Sequence, residues 1–294
     1  RMTFGYFCLS GLDLLGSLPQ LTQEKRAGWV EWIYAQQIHP NADGSLSPRC
    51  GFRGSPFAGT KHCSSGVSRN SFSRSAHPPA EIDTSHITMT HTALLCLVLL
   101  GDDLSRVNAK AIVAALRAMQ QPDGSFECYW KAGESDMRFV FCACAISYVL
   151  NDWSGIDVEK CIEFIRKCQT YEGGFSQKPN QESHGGSTYC AIASLALMGR
   201  IDDGIADKDR TLRWLLFRQE DGFQGRPNKP HDTCYAFWIG GAIDMLGMYH
   251  LVDTTVLKFF LSQTYSPKFG GYGKLPGDYP DLMHTYLGLS GLAI

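Results

Sequence analysis

Three side chains near the starts of two apolar segments are of the types that hold a divalent cation. Asp232 and Cys234 open the segment TCYAFWIGGAIDMLG, and His284 stands near the start of MHTYLGLSGLAI. If the two segments are neighbouring helices, with axes roughly 8–10 Å apart, side chains at their starts converge on one ion. Carboxylate, thiolate and imidazole together suit Zn²⁺, and three protein ligands leave a fourth position open, as in catalytic sites. Taken singly, Asp232 also reads as a helix N-cap and Cys234 as a buried structural thiol. No close Cys-x-x-Cys pair reinforces the trio.

A second set of residues has the chemistry of an anion site. Arg226 and Lys229 lie in GRPNKPHDTCY just before Cys234, and Tyr235 follows it. Lys274 occupies a corresponding turn further on, and His184 precedes Gly185 and Gly186. Fixed cations, a helix N-terminus and glycines that admit close backbone approach make a diphosphate site without a phosphate-binding loop. Any one of these cations alone reads as solvated surface charge. The aromatics Phe141, Tyr189, Phe237, Trp238 and Tyr286 would line a cavity for an apolar tail, although each alone reads as plain core.

Internal repetition positions these residues. Four turns, QQPDGSF, QTYEGGF, QEDGF and QTYSPKFGGY, end at Phe126, Phe175, Phe223 and Tyr272, spaced 49, 48 and 49 residues apart. Four and seven residues before the glutamine of each lie Leu116 and Val113, Ile165 and Ile162, Leu215 and Leu212, and Phe259 and Val256, on one helical stripe. An earlier copy has Trp32 and Trp29 at the same offsets before Gln36, with Phe52 as a displaced turn aromatic.

After each turn comes a helix apolar or small on nearly every face, expected to be buried all round. Stacked hairpins of outer and inner helices form either an open solenoid or a closed α/α barrel. Asp136, His184, Asp232 and Asp281, spaced 48, 48 and 49 residues apart at the inner starts, favour closure with a polar mouth. The expectation is one all-α domain over 1–294, an α/α toroid of about six hairpins. The Gly-, Ser-, Pro- and Arg-rich stretch from Ser55 to Ala80 breaks the period and reads as a surface-loop insertion.

Composition excludes several function classes. A formal net charge of -2 with scattered signs offers no basic face, which disfavours a nucleic-acid partner. The longest apolar run, Ala93–Leu100, is far short of the roughly 20 residues needed to span a bilayer. No charged-then-apolar leader follows Arg1, so a signal peptide is either absent or trimmed away. Among the eleven cysteines, Cys96, Cys142, Cys144, Cys161 and Cys190 sit inside apolar helical runs, as reduced thiols of a cytoplasmic protein do.

With those residues in place the sequence resembles the β subunits of protein prenyltransferases over essentially the whole chain. ESHGGSTYC, GRPNKPHDTCY and DYPDLMHTYLG carry the resemblance. It implies one Zn²⁺ per β subunit, held by Asp232, Cys234 and His284, and a diphosphate held by His184, Arg226, Lys229 and Tyr235. Gly185, Gly186, Cys190 and Trp238 would border the isoprenoid; Pro227, Asn228, Ala236 and Phe237 belong to the same substrate-binding stretches. Arg138, in DMRFVFCA, matches an arginine near the acceptor peptide's C-terminal end in farnesyltransferases.

Two positions separate members of that family. Lys274 falls where farnesyltransferase β subunits carry an aspartate that binds Mg²⁺, so Mg²⁺ is not expected to be required. Thr3 falls where they carry a tryptophan at the pocket floor, and a smaller side chain leaves room for a C20 donor. Both point to geranylgeranyltransferase type I, using geranylgeranyl diphosphate, a separate α subunit, and Cys-a-a-X acceptors such as small GTPases. Other readings stay open: a farnesyltransferase or Rab-type β subunit, a terpene-cyclase-like α/α-barrel enzyme, and a non-catalytic scaffold.

Overall fold

The computed structural model describes residues 1–41, 43–56 and 83–294. The expected loop from Ser55 to Ala80 lies, beyond position 56, outside the described residues. Twelve helices carry the described fold. They are α1 (Met2–Leu14), α2 (Gln23–Tyr34), α3 (Ile87–Leu99), α4 (Ala109–Met119), α5 (Met137–Leu150), α6 (Val158–Cys168), α7 (Gly185–Met198), α8 (Ile201–Gly204), α9 (Lys208–Leu216), α10 (Tyr235–Met245), α11 (Thr254–Thr264) and α12 (Leu282–Ala293). Among the described residues the paired strands are two-residue ribbons, Gln37–Ile38 with Gly51–Phe52 and Phe126–Glu127 with Ser135–Asp136.

Six helices form the inner layer and it closes on itself. Each of α1, α3, α5, α7, α10 and α12 packs against the next, and α12 packs back on α1. The expected all-α toroid is the observed architecture. Inner helices approach closely because small residues stand between them: a Cβ on Gly291 of α12 would collide with Ala236 of α10.

Outer helices start where a short polar side chain captures a free N–H. Asn108, Asp157 and Asp207 each accept from the amide three residues on, and Asp253 from those of Thr255 and Val256. Each outer helix buries one stripe: Ile112, Ala115, Leu116 and Met119 in α4, and Cys161, Ile162, Ile165 and Cys168 in α6. The turn aromatics Phe52, Phe126, Phe175 and Phe223 are wholly buried between the layers.

The repeating glutamine acts as a clamp between consecutive units. Gln120 accepts from the Asp157 N–H and donates to its carbonyl, and Gln219 does the same with Asp253. Gln37 accepts from Asn108 and donates to the Arg106 carbonyl; Gln169 accepts from Ala206.

This register corrects two sequence expectations. In the last unit Tyr265, not Gln263, bridges the turn aromatic Tyr272, so the buried stripe is Leu257, Phe260 and Leu261 while Phe259 is 66% exposed. In the first unit Gln37, not Gln36, pairs with Phe52, which buries Ile33 and leaves Trp29 40% exposed. A shift of one or two residues moves a different side chain onto the core-facing stripe. Ten cysteines are described, all free, and only Cys8 among them is exposed. Among the described residues no helix is long and apolar enough to cross a membrane.

Candidate metal centre and anion-binding mouth

Asp232, Cys234 and His284 are buried, and one ligand atom from each lies within 4.8 Å of the others. α10 presents the first two from its N-terminal approach; α12, its packed neighbour, presents His284. Asp232 Oδ1 accepts from the Cys234 N–H at 2.9 Å, fixing the carboxylate over the helix start. Asp232 closes a turn just ahead of α10, whose N-cap position is Cys234, and still presents its oxygens to the cluster.

His284 has the environment of a metal-binding imidazole. Its Nδ1 lies 2.6 Å from Asp281 Oδ2, which fixes ring orientation and directs Nε2 into the cluster. Nε2 approaches Asp232 Oδ1 at 3.3 Å but is buried without a properly aligned hydrogen-bond partner. Burial alone would lower the His284 pKa, but Asp232 and Asp281 outweigh it and raise it. Burial, with Asp232 beside it, pushes the Cys234 thiol well up. A thiolate there stands beside the Asp232 carboxylate and needs a cation to offset the paired negative charge, so the donor set fits Zn²⁺. No other grouping of three or more such donors occurs among the described residues.

Beside this trio opens a cavity of about 640 Å³, lined by His184, Gly225, Arg226, Lys229, Asp232, Tyr235, Lys274, Gln177, Gln181, Glu182, Ser183, Pro230 and Leu275. Lys274 Nζ is 3.9 Å from Asp232 Oδ2, linking the cationic rim to the trio. A Cβ at Gly225 would overlap the Tyr235 ring, so glycine there lets the phenol lie flat against the loop.

His184 caps α7 by accepting the Gly186 N–H at Nδ1, 3.1 Å away. Burial and Arg226 lower its pKa, which favours the neutral ring. With Nδ1 accepting, the neutral ring carries its proton on Nε2 and donates to the Tyr235 oxygen at 3.0 Å. The Tyr235 O–H is then left to donate into the cavity.

The remaining expected residues divide between site and scaffold. Pro227 and Asn228 form the turn between Arg226 and Lys229, with Asn228 at φ 62° and exposed. Ala236 is buried against Gly291. The Gly185 N–H is spent on the Gly225 carbonyl and the Gly186 N–H on His184, so neither glycine amide is spare for a ligand. Arg138 stands at the start of α5, held by Asp136 and Glu134. Cys190 is buried on α7. Thr3 lies on α1, where its Oγ1 meets Met89 Sδ at 3.5 Å.

Aromatic contacts run around the inner layer from Tyr286 through Tyr6, His91, Phe141 and Tyr189 to Trp238, successive centroids 4.9–6.5 Å apart. Phe7 and Phe237 join the same chain. Sequence reading missed His91, Tyr6 and Phe7 because α1 and α3 lie outside the clear repeats. It placed Asp281 on the mouth without its bond to His284, although three-residue spacing on a helix was the available signal.

The family model for the prenyltransferase alpha-alpha toroid domain matches residues 1–294. The chain belongs to the prenyltransferase α/α-toroid family. It is 44% identical over 291 residues to the geranylgeranyl transferase type-1 subunit beta of Dictyostelium discoideum, covering 98% of this chain and 81% of that protein. The Arabidopsis thaliana subunit of the same name is 40% identical over 305 aligned positions, covering 100% of this chain and 78% of that protein. Among solved structures, Candida albicans protein geranylgeranyltransferase-I complexed with GGPP superposes with a TM-score of 0.83 at 28% identity, covering 99% of this chain and 83% of that one. Within the family the chain is a protein prenyltransferase β subunit of the type I geranylgeranyltransferase kind, and its activity is protein prenyl transfer.

Proposed function

We propose that this chain is the zinc-dependent catalytic subunit that, with a separate α subunit, transfers a geranylgeranyl group from geranylgeranyl diphosphate to the cysteine of Cys-a-a-X tails. The observation that carries this reading is one juxtaposition: the buried Asp232, Cys234 and His284 trio adjoins a cavity walled by Arg226, Lys229, His184, Tyr235 and Lys274. The aromatic chain across the inner helices is the apolar surface that receives the isoprenoid.

The reaction forms a bond between the acceptor sulfur and C1 of the donor while the thiol proton passes to solvent, the C1–O bond breaks and diphosphate leaves. When bound, Zn²⁺ supplies a Lewis acid that lowers the acceptor thiol's pKa. Arg226, Lys229 and Lys274 then stabilise negative charge on the leaving group, and the Tyr235 O–H donates a hydrogen bond to it. His184 holds that phenol in place. Lys274 stands where positive charge is needed, so Mg²⁺ is not required.

The test is transfer of tritiated geranylgeranyl to Cys-a-a-Leu and Cys-a-a-Ser peptides by the purified heterodimer, with and without a zinc chelator. Preference for the Leu peptide and loss of transfer on chelation are expected. Equal transfer after the metal is stripped would end the zinc reading, and faster use of a C15 donor would end the C20 assignment.

A further inference from the structure

The cationic mouth contains a carboxylate that the transfer chemistry does not use. Glu182 lines the same cavity, two residues before His184. Its Oε2 accepts from Arg226 Nη1 at 2.5 Å, and the two side chains are 53% and 40% exposed. Its charge opposes the effects of burial and Arg226 on His184. The other carboxylate of the cavity wall, Asp232, is accounted for by Cys234, His284 and Lys274. Glu182 is spent on Arg226.

A guanidinium offers donors in a fixed fork, and a carboxylate oxygen and a phosphate oxygen compete for the same positions. We propose that Glu182 is a displaceable counter-ion of the anion site. It is a positioning residue that keeps the Arg226 guanidinium at the mouth and competes there with diphosphate, weakening the hold on released inorganic diphosphate. The inference rests on the reading of this mouth as the diphosphate site. Partial exposure keeps the competition mild enough for donor binding to overcome it.

Calorimetric binding of inorganic diphosphate to the heterodimer tests this, comparing the natural chain with Glu182→Gln, Glu182→Asp and Lys229→Ala. Glu182→Gln keeps the shape and removes the charge, so affinity should rise about fivefold. The gain should shrink at high salt. The KM for the prenyl diphosphate should fall without a rise in kcat, whereas Glu182→Asp should retain near-natural affinity. Unchanged or weaker diphosphate binding by Glu182→Gln, alongside weakened binding by Lys229→Ala, overturns the role of Glu182 alone. If Lys229→Ala also binds as tightly as the natural chain, the diphosphate site itself is misplaced and the inference falls with it.

Discussion

At the scale of residues, Lys274 and His91 carry the sharpest consequences. Lys274 brings a fixed positive charge to within 3.9 Å of Asp232 at the cavity wall. Replacing it with alanine should slow turnover by about one to two orders of magnitude, since one stabilising group for the leaving charge is lost. Lys274→Asp should be comparably slow until Mg²⁺ is added. Steady-state rates with and without the metal check both, and a natural rate in Lys274→Ala would remove the residue from the mechanism.

His91 lies among aromatic rings, and burial lowers its pKa from 6.5 to about 4. The folded protein therefore binds the proton less readily than the unfolded chain. Stability from the neutral ring is complete above pH 6.5 and is lost as pH falls toward 4, approaching about 3 kcal/mol. His91→Phe should flatten that part of the acid limb, as read from urea midpoints at several pH values. Parallel acid limbs for the two proteins would show that His91 does not contribute.

At the scale of elements, the glutamine clamp explains why the repeat has a constant period. The side-chain amides of Gln37, Gln120 and Gln219 each meet a backbone N–H and a backbone carbonyl at the next outer helix start, and Gln169 pairs with the Ala206 N–H and the Thr211 hydroxyl, so a lengthened turn would miss them. Gln219→Ala leaves the Asp253 N–H and carbonyl without those partners and should cost about 1–3 kcal/mol in urea unfolding. The aromatic spacing made the hairpins legible, whereas the clamp register was not. QTY occurs at both Gln169 and Gln263, but in the second copy Tyr265 takes the bridging position. A motif match is one-dimensional; the facing stripe is decided by which side chain meets the neighbouring layer.

At the scale of the molecule, closure of α1 on α12 joins six apolar helices into one continuous inner ring. Thr3 lies one turn before Phe7 on the same face of α1, so its size affects the space beside the aromatic chain. Thr3→Trp should shift donor preference from C20 toward C15 diphosphates, measured as a ratio of kcat/KM values. An unchanged ratio would place the length determinant elsewhere.

The sequence by itself determined the hairpin plan, the alternation of one-sided and all-round apolar helices, and the residue types gathered at the inner starts. Those follow from local periodicity and from a repeat that keeps equivalent positions in register. Only the tertiary structure decided that α12 returns to α1 and that Glu182 occupies the guanidinium of Arg226. Such pairings depend on approaches of a few ångströms between side chains, in the Arg226 case from segments more than forty residues apart, and helical periodicity does not encode those distances.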